Sequence, residues 1–285
     1  MSLASMLTAH PAAQYRKNPN FYRQYDGFYL LLFSTVLVTF AVTGFRPLIG
    51  GPDWWYLPAL PALAYGVIWC HLMVHNATHG NFPKAINRIV GEILGVLVVV
   101  RFASWDITHT RHHRYSDDRE KDPHPNYPSF WKTVSASIVS IEKVLIGQYY
   151  ENFGDTPENH AREKRRAWIS YGSNLVLIAC WLWVMGPWFT VLVWLPAEAV
   201  GGLFILHFNW VTHNGPHATS EDDMKPVNLK GFWPTVGNVL FCGIYAHKTH
   251  HDYQRLFHPA LALWLGRVKE HPEEVESSQP SAEAA

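Results

Sequence analysis

Four stretches of the chain are long and apolar enough to cross a lipid bilayer, and they constrain the fold more than any other feature. A helix needs about 20 consecutive apolar residues to span the hydrocarbon core. The stretches cover residues 28–49, 55–75, 168–185 and 188–210. Short turns with glycine and proline follow the first and the third stretch. The sequence therefore predicts an all-α integral membrane protein with four transmembrane helices in two hairpins.

The segments between and after the hairpins are polar and are predicted to form a helical cap, residues 80–167 and 211–268. One apolar run inside the cap, residues 89–100, is too short to cross the bilayer and is predicted to lie in the membrane plane. Residues 1–268 are therefore expected to form a single membrane domain. The polar tail, residues 269–285, has no hydrophobic pattern and is expected to be disordered.

Positive charge predicts the orientation of the spans. Residues 80–167 carry 13 of the 23 lysines and arginines, whereas the two hairpin turns together carry one, Arg46. Segments rich in lysine and arginine stay in the cytoplasm. Both termini and the helical cap are therefore expected on the cytoplasmic side, and four crossings return the chain to the side on which it started.

Composition excludes several other functions. Lysine plus arginine equals aspartate plus glutamate at 23 each, so no net charge indicates a nucleic-acid partner. The three cysteines, Cys70, Cys180 and Cys242, are far apart and form no CxxC pair. Neither a zinc ribbon nor an iron–sulfur cluster is expected.

Three histidine clusters lie at the ends of spans or of the in-plane run. They read HxxxH at 75–79, HxxHH at 109–113 and HxxHH at 247–251. On a helix, spacings of three and four residues place imidazoles on one face, where their nitrogens can converge on a metal. One HxxxH alone is better explained by chance or by a hydrogen-bonded core histidine, but three clusters on one predicted side indicate a metal site. The candidate ligands are His75, His79, His109, His112, His113, His247, His250 and His251.

Eight histidines are too many for one zinc ion, which normally takes four ligands. Two metals with four or five nitrogens each fit the number better. An all-nitrogen site with open positions suits iron that activates dioxygen, although these residues do not themselves exclude zinc.

The order of these clusters between membrane hairpins resembles the three histidine boxes of the integral-membrane fatty acid desaturase and hydroxylase superfamily, over residues 28–257. The second cluster continues through Tyr-Ser-Asp-Asp to Asp122-Pro123-His124, similar to stearoyl-type acyl desaturases. Asn209-Trp-Val-Thr-His213 resembles their NxxxH element. The resemblance implies two ferrous ions, dioxygen as co-substrate, His213 as a ninth ligand and Asn209 as the holder of a metal-bound water. His217, in an unlike His-Asn-Gly-Pro-His stretch, is an alternative ligand to His213.

Further residues are candidates for supporting the site. Carboxylates can accept the distal N–H of a ligating imidazole and so fix its orientation, although ordinary solvation explains loop aspartates equally well. Glu198 lies within the fourth span, where a carboxylate is expensive. It is expected either to face a substrate tunnel or to hydrogen-bond another helix. The candidates for contacting and orienting the metal ligands are His71, His207, Asp117, Asp118 and Asp122. No catalytic residue beyond the metal ligands is predicted.

The resemblance implies an oxidoreductase that oxidises a membrane lipid or a lipid-linked acyl chain, with a fatty acyl desaturase as the leading interpretation. The chain has no HPGG haem signature and no cysteine cluster, so an external ferredoxin- or b5-type protein is expected to deliver electrons.

The sequence leaves two alternatives to a desaturase. A hydroxylase or ketolase of a fatty acyl, alkane or carotenoid substrate would carry the same ligand motifs. A membrane metal-binding or transport protein is an alternative of another class. It would need a polar path through the spans, and these spans are almost uncharged.

Overall fold

The computed structural model describes residues 8–270 and confirms the predicted all-α fold. In that range the only strand-like pairing is an isolated bridge between Asn228 and Ala246. The helices are α1 (Pro11–Tyr15), α2 (Phe21–Thr43), α3 (Tyr56–Thr78), α4 (Asn87–Leu97), α5 (Phe102–Arg114), α6 (Phe130–Phe153), α7 (Pro157–Met185), α8 (Pro187–Thr212), α9 (Phe232–Leu240), α10 (His247–Asp252) and α11 (Pro259–Trp264). The predicted disordered tail lies outside the described residues from position 271 onward.

Four helices, α2, α3, α7 and α8, are long and apolar enough to cross a membrane, as predicted. Their ends differ from the apolar stretches. Helix α2 begins at Phe21 rather than at residue 28 and ends at Thr43. It stops there because Gly44 takes the left-handed conformation, with φ of 68°, that commonly terminates a helix. Helix α7 begins at Pro157, so the basic run that precedes the apolar residues belongs to the same helix.

The connections make two hairpins, but the main packing runs between the hairpins rather than within them. Helix α2 packs chiefly against α7, and α3 packs against α8. The two hairpin turns meet at one end of this bundle, where the Leu48 amide donates to the Val184 carbonyl at 2.8 Å. The histidine-bearing ends of α3 and α8 therefore lie together at the opposite end.

Gly201 allows the close approach of α8 to α3. A Cβ atom at this position would lie 2.4 Å from Cγ1 of Val67, whereas one at Gly202 would meet nothing within 4 Å. Val67 cannot turn away easily because a β-branched side chain in a helix has one strongly preferred rotamer.

We expect Gly201→Ala to lower the free energy of unfolding by about 1–3 kcal/mol, because overpacking forces the two helices apart. Gly202→Ala is the matched control and should be neutral or slightly stabilising, since alanine favours helix over glycine. Thermal unfolding of the detergent-solubilised variants measures the difference. Equal unfolding midpoints would contradict the packing described.

Helix α4 has the amphipathic pattern that an in-plane helix requires. One side carries exposed apolar residues, and the other packs on the protein, where Gly91 lies against the Phe102 ring. Glu92, on α4, accepts hydrogen bonds from the hydroxyls of Tyr25 and Tyr29 in α2. The exposed residues are Ile89, Ile93 and Leu97, together with Ile86 directly before the helix.

The N-terminal arm is tied to the helical cap. The amide of Ala12 in α1 donates to the buried carboxylate of Asp106 at 2.7 Å, and His10 Nδ1 lies 3.4 Å from the same side chain. Asp106 lies on α5, one turn before His109, so the arm supports the helix that carries the second histidine cluster.

Candidate metal centre

Five histidines place ring nitrogens within 4.8 Å of one another and are here called the first cluster. They come from the end of α3, from α5 and from α10. The Nε2 atom of His109 lies 3.1 Å from that of His79 and 3.0 Å from that of His113, which is 3.1 Å from Nε2 of His250. The first cluster consists of His75, His79, His109, His113 and His250.

Four further histidines form the second cluster, with ring nitrogens also within 4.8 Å of one another. They come from α5, from α10 and from the residue that follows α8. The Nε2 atom of His247 lies 3.0 Å from that of His213 and 3.2 Å from that of His251. The second cluster consists of His112, His213, His247 and His251.

These nitrogen–nitrogen separations fit metal coordination. Two imidazole nitrogens bound at about 2.1 Å to one ion, at right angles, lie about 3.0 Å apart. The observed separations of 3.0–3.2 Å match this value in both clusters. The donors are all imidazole nitrogens, a set that suits iron, zinc, copper or nickel.

Burial keeps most of these imidazoles neutral, which is the form that binds a metal. It lowers the pKa of His109, His247 and His250 well below the usual value, and the neighbouring histidines lower it further. A proton on any of these three imidazoles would be both desolvated and repelled by the neighbouring histidines.

Two aspartates fix the tautomers of the second cluster. His112 Nδ1 lies 2.8 Å from Asp122, and His213 Nδ1 lies 2.7 Å from Asp117. A ring that donates from Nδ1 to a carboxylate leaves Nε2 with a lone pair. His112 Nε2 is such an atom. It is buried, and its lone pair has no hydrogen-bond partner within residues 8–270, so it is available to a metal ion. The residues therefore fit a bound metal ion.

The aspartates also hold each other. The Asp117 amide donates to Asp122 at 2.7 Å, and this contact accompanies a left-handed backbone at Asp117, with φ of 62°. Asn126 donates to Asp117 at 3.0 Å and accepts from Asn209 at 3.1 Å. Burial opposes ionisation of Asp117, but His213, His112 and the hydrogen bond from Asn126 together lower the pKa of that carboxyl. The network links the cap loop after α5 to the end of α8.

We expect Asp122→Asn to weaken metal binding about 10- to 100-fold, because His112 loses the carboxylate that orients it and increases its basicity. Asp118→Asn is the matched control, since the Asp118 carboxylate accepts from the amides of Glu120 and Lys121 and pairs with the Lys121 ammonium, and none of these groups touches a histidine cluster. Metal retained by the purified variants during dialysis against graded chelator measures the effect. Equal retention would rule out the orienting role of Asp122.

Several predicted residues lie away from both clusters. His217 belongs to neither cluster and is exposed. His207 is exposed and contacts the rings of Phe130 and Trp210. Glu198 buries a carboxylate oxygen without a partner among the described residues, and it does not line the cavity beside the clusters.

Two contacts of the site are not among those predicted from the sequence. Asn126, the bridge between Asp117 and Asn209, has no recognisable spacing in the sequence. Trp105 stacks on His109, with ring centroids 5.4 Å apart and planes at 11°. Trp105 lies four residues before His109, and this spacing indicates that the two side chains are neighbours on one face of a helix.

A cavity of about 100 Å³ adjoins the clusters. His75, His109, His247 and His250 form part of its wall, and His71 and Asn209 line it as well. Much of the remaining wall is apolar, with contributions from α3, α6, α8 and the segment before α11. The apolar residues include Leu72, Ile141, Ile205, Phe208, Ile244 and Phe257.

Comparison with known proteins gives two matches. The family model for fatty acid desaturases matches residues 52–279. An sn-1 oleoyl-lipid 12-desaturase from Picosynechococcus sp. is 25% identical over 161 residues, which are 53% of this chain and 42% of that protein. The matched part thus spans less than half of the length of this relative. No solved structure matches the chain.

Proposed function

The chain belongs to the fatty acid desaturase family, and from this premise we propose that it is an oxygen-dependent lipid oxidase that introduces a double bond into a fatty acyl chain. One observation carries the proposal: nine histidines converge in two clusters beside a largely apolar cavity. An apolar cavity next to a redox metal site suits an unactivated hydrocarbon substrate.

We propose iron as the metal and all nine histidines as its ligands, with five nitrogens in the first cluster and four in the second. When bound, two iron ions supply the activation of dioxygen that removal of hydrogen from an alkyl chain requires. Asn209 remains our candidate for holding a metal-bound water, because its side chain lines the cavity and is anchored through Asn126.

The protein's own part is to position the acyl chain and to keep water out. Leu72, Ile205 and Phe208 offer apolar contacts to a chain in the cavity, while His75 and His250 border the same space. A C–H bond held there would lie beside the clusters, and holding the reacting groups at contact distance contributes much of the rate. The surrounding apolar side chains exclude water from the reaction.

We further propose that the clusters face the cytoplasm. The basis is the excess of lysine and arginine in the cap and the placement of the histidines at the end of the bundle opposite the hairpin turns. Electrons would come from a separate ferredoxin- or b5-type protein.

Lipid profiling tests the proposed reaction. The chain is expressed with a reductase and an electron donor, and total lipids are compared by mass spectrometry with those of the His112→Ala variant. Loss of two hydrogens from an acyl chain, absent in the variant, is the expected result. Gain of one oxygen would instead identify a hydroxylase. An unchanged lipid profile in cells containing the iron-loaded protein would count against the oxidase proposal.

A further inference from the structure

Among residues 8–270, one buried serine hydroxyl lacks the hydrogen-bond partner that the other buried serine and threonine hydroxyls have. Eight serines and threonines of the described chain are buried. Seven of them hydrogen-bond to the protein, most of them to a carbonyl of the preceding turn, as helical hydroxyls commonly do. Ser137, on α6, is 2% exposed and its Oγ atom has no partner within residues 8–270.

A second buried donor, the indole N–H of Trp105, also lacks a hydrogen-bond partner. Four other tryptophans, Trp69, Trp181, Trp183 and Trp210, donate to protein oxygens at 2.8–3.2 Å. The Trp105 Nε1 atom is buried without an acceptor in the described part of the chain. A buried polar group left unpaired is destabilising, so native proteins pair such groups with protein, water or ligand.

Both groups line the cavity beside the metal clusters. Helices α5 and α6, which carry them, are in contact with each other. The wall contributed by α8 and by the segment before α11 is mainly apolar there, through Ile205, Phe208 and Phe257. The cavity therefore combines apolar lining that suits a hydrocarbon with two buried hydrogen-bond donors that have no partner within residues 8–270.

We propose that Trp105 Nε1–H and the Ser137 hydroxyl form a subsite for an oxygen atom of the substrate lipid. An indole N–H can only donate, so the group that it binds must be an acceptor, such as an ester carbonyl or a hydroxyl. This inference rests on the proposed function, because it takes the occupant of the cavity to be the lipid that is oxidised. A plain hydrocarbon in the cavity would leave both donors unpaired.

The subsite would determine where the lipid is oxidised. An oxygen fixed at Trp105 and Ser137 sets how many carbons lie between that oxygen and the clusters. The new double bond should then stay at a constant distance from the oxygen when the methyl end of the chain is lengthened.

Equilibrium binding of labelled lipids to the purified, metal-loaded protein tests the subsite without turnover. The probes are dioctadecanoyl phosphatidylcholine, its ether-linked analogue without carbonyls, and analogues of the ether lipid with one hydroxyl placed at successive carbons. The wild-type protein should bind one oxygen-bearing probe about three- to tenfold more tightly than the plain ether lipid, the usual worth of one hydrogen bond. Preference for the ester identifies a carbonyl, and preference for one hydroxy isomer identifies a hydroxyl.

Ser137→Ala should weaken the preference, because only the Trp105 N–H remains to donate, whereas Ser135→Ala should keep it in full. Ser135 lies on the same helix but is exposed and bonds the Lys132 carbonyl. Metal content equal to that of the wild type shows that the variants have folded. Equal binding of all probes by the wild type, or an undiminished preference in Ser137→Ala, would overturn the subsite. If the preference depends on Ser137 but no lipid is ever oxidised, the subsite stands and the proposed reaction fails.

Discussion

His250→Ala is expected to abolish lipid oxidation and to lower metal affinity at the first cluster by on the order of 100-fold or more, since loss of a mere orienting partner already costs 10- to 100-fold. His250 is the residue of α10 that joins this cluster, and its Nε2 atom lies 3.1 Å from that of His113. Its ring also approaches those of His75 and His79, at 4.6 and 4.7 Å between centroids. Alanine would leave four nitrogens and an open side to the cluster.

The measurement pairs metal content with product yield. His160→Ala is the control, because His160 is exposed and bonds Tyr150 and Asp155 away from the clusters. It should retain both metal and activity. Normal product formation by His250→Ala would refute the assignment of the first cluster as a metal site.

The second large effect is expected from His213→Ala. His213 is fully buried, lies 3.0 Å from His247 through their Nε2 atoms, and is held by Asp117. Its removal takes away one of only four nitrogens and leaves Asp117 without its imidazole partner. We expect loss of activity together with loss of about half of the bound metal, because one cluster of two is broken.

His217→Ala is the companion variant and should remain active. His217 lies four residues further along the chain but is exposed and outside both clusters. Activity in His213→Ala combined with inactivity in His217→Ala would reverse the assignment and place the ninth ligand at His217.

The histidine spacing contains more of the site's arrangement than the predicted convergence on one helix face. On a helix, residues four apart lie about 40° from each other around the axis, so His109 and His113 share one cluster and His247 and His251 share the other. The middle histidine of each HxxHH motif points about 60° away from the first and joins the opposite cluster. The sequence could predict this split within each helix. Which helices contribute histidines to the same cluster depends on tertiary packing, which the spacing does not encode.

Other features were beyond the sequence for related reasons. The packing of each span against a span of the other hairpin depends on close contacts such as that of Gly201 with Val67. A hydropathy pattern does not contain such contacts. Helix α9 was not anticipated because its apolar run is short, although it exposes Phe232 and Trp233. The sequence predicts Asp117, Asp118 and Asp122 alike as partners of the ligands, because a loop sequence does not show which carboxylates turn inward.

The most direct test of a di-iron oxidase is metal analysis of the purified protein combined with oxygen uptake. Two iron ions per chain, with oxygen consumption that requires both a reductant and an acyl lipid, are expected from two histidine clusters of five and four nitrogens. A single zinc ion per chain, without iron and without oxygen consumption, would contradict it.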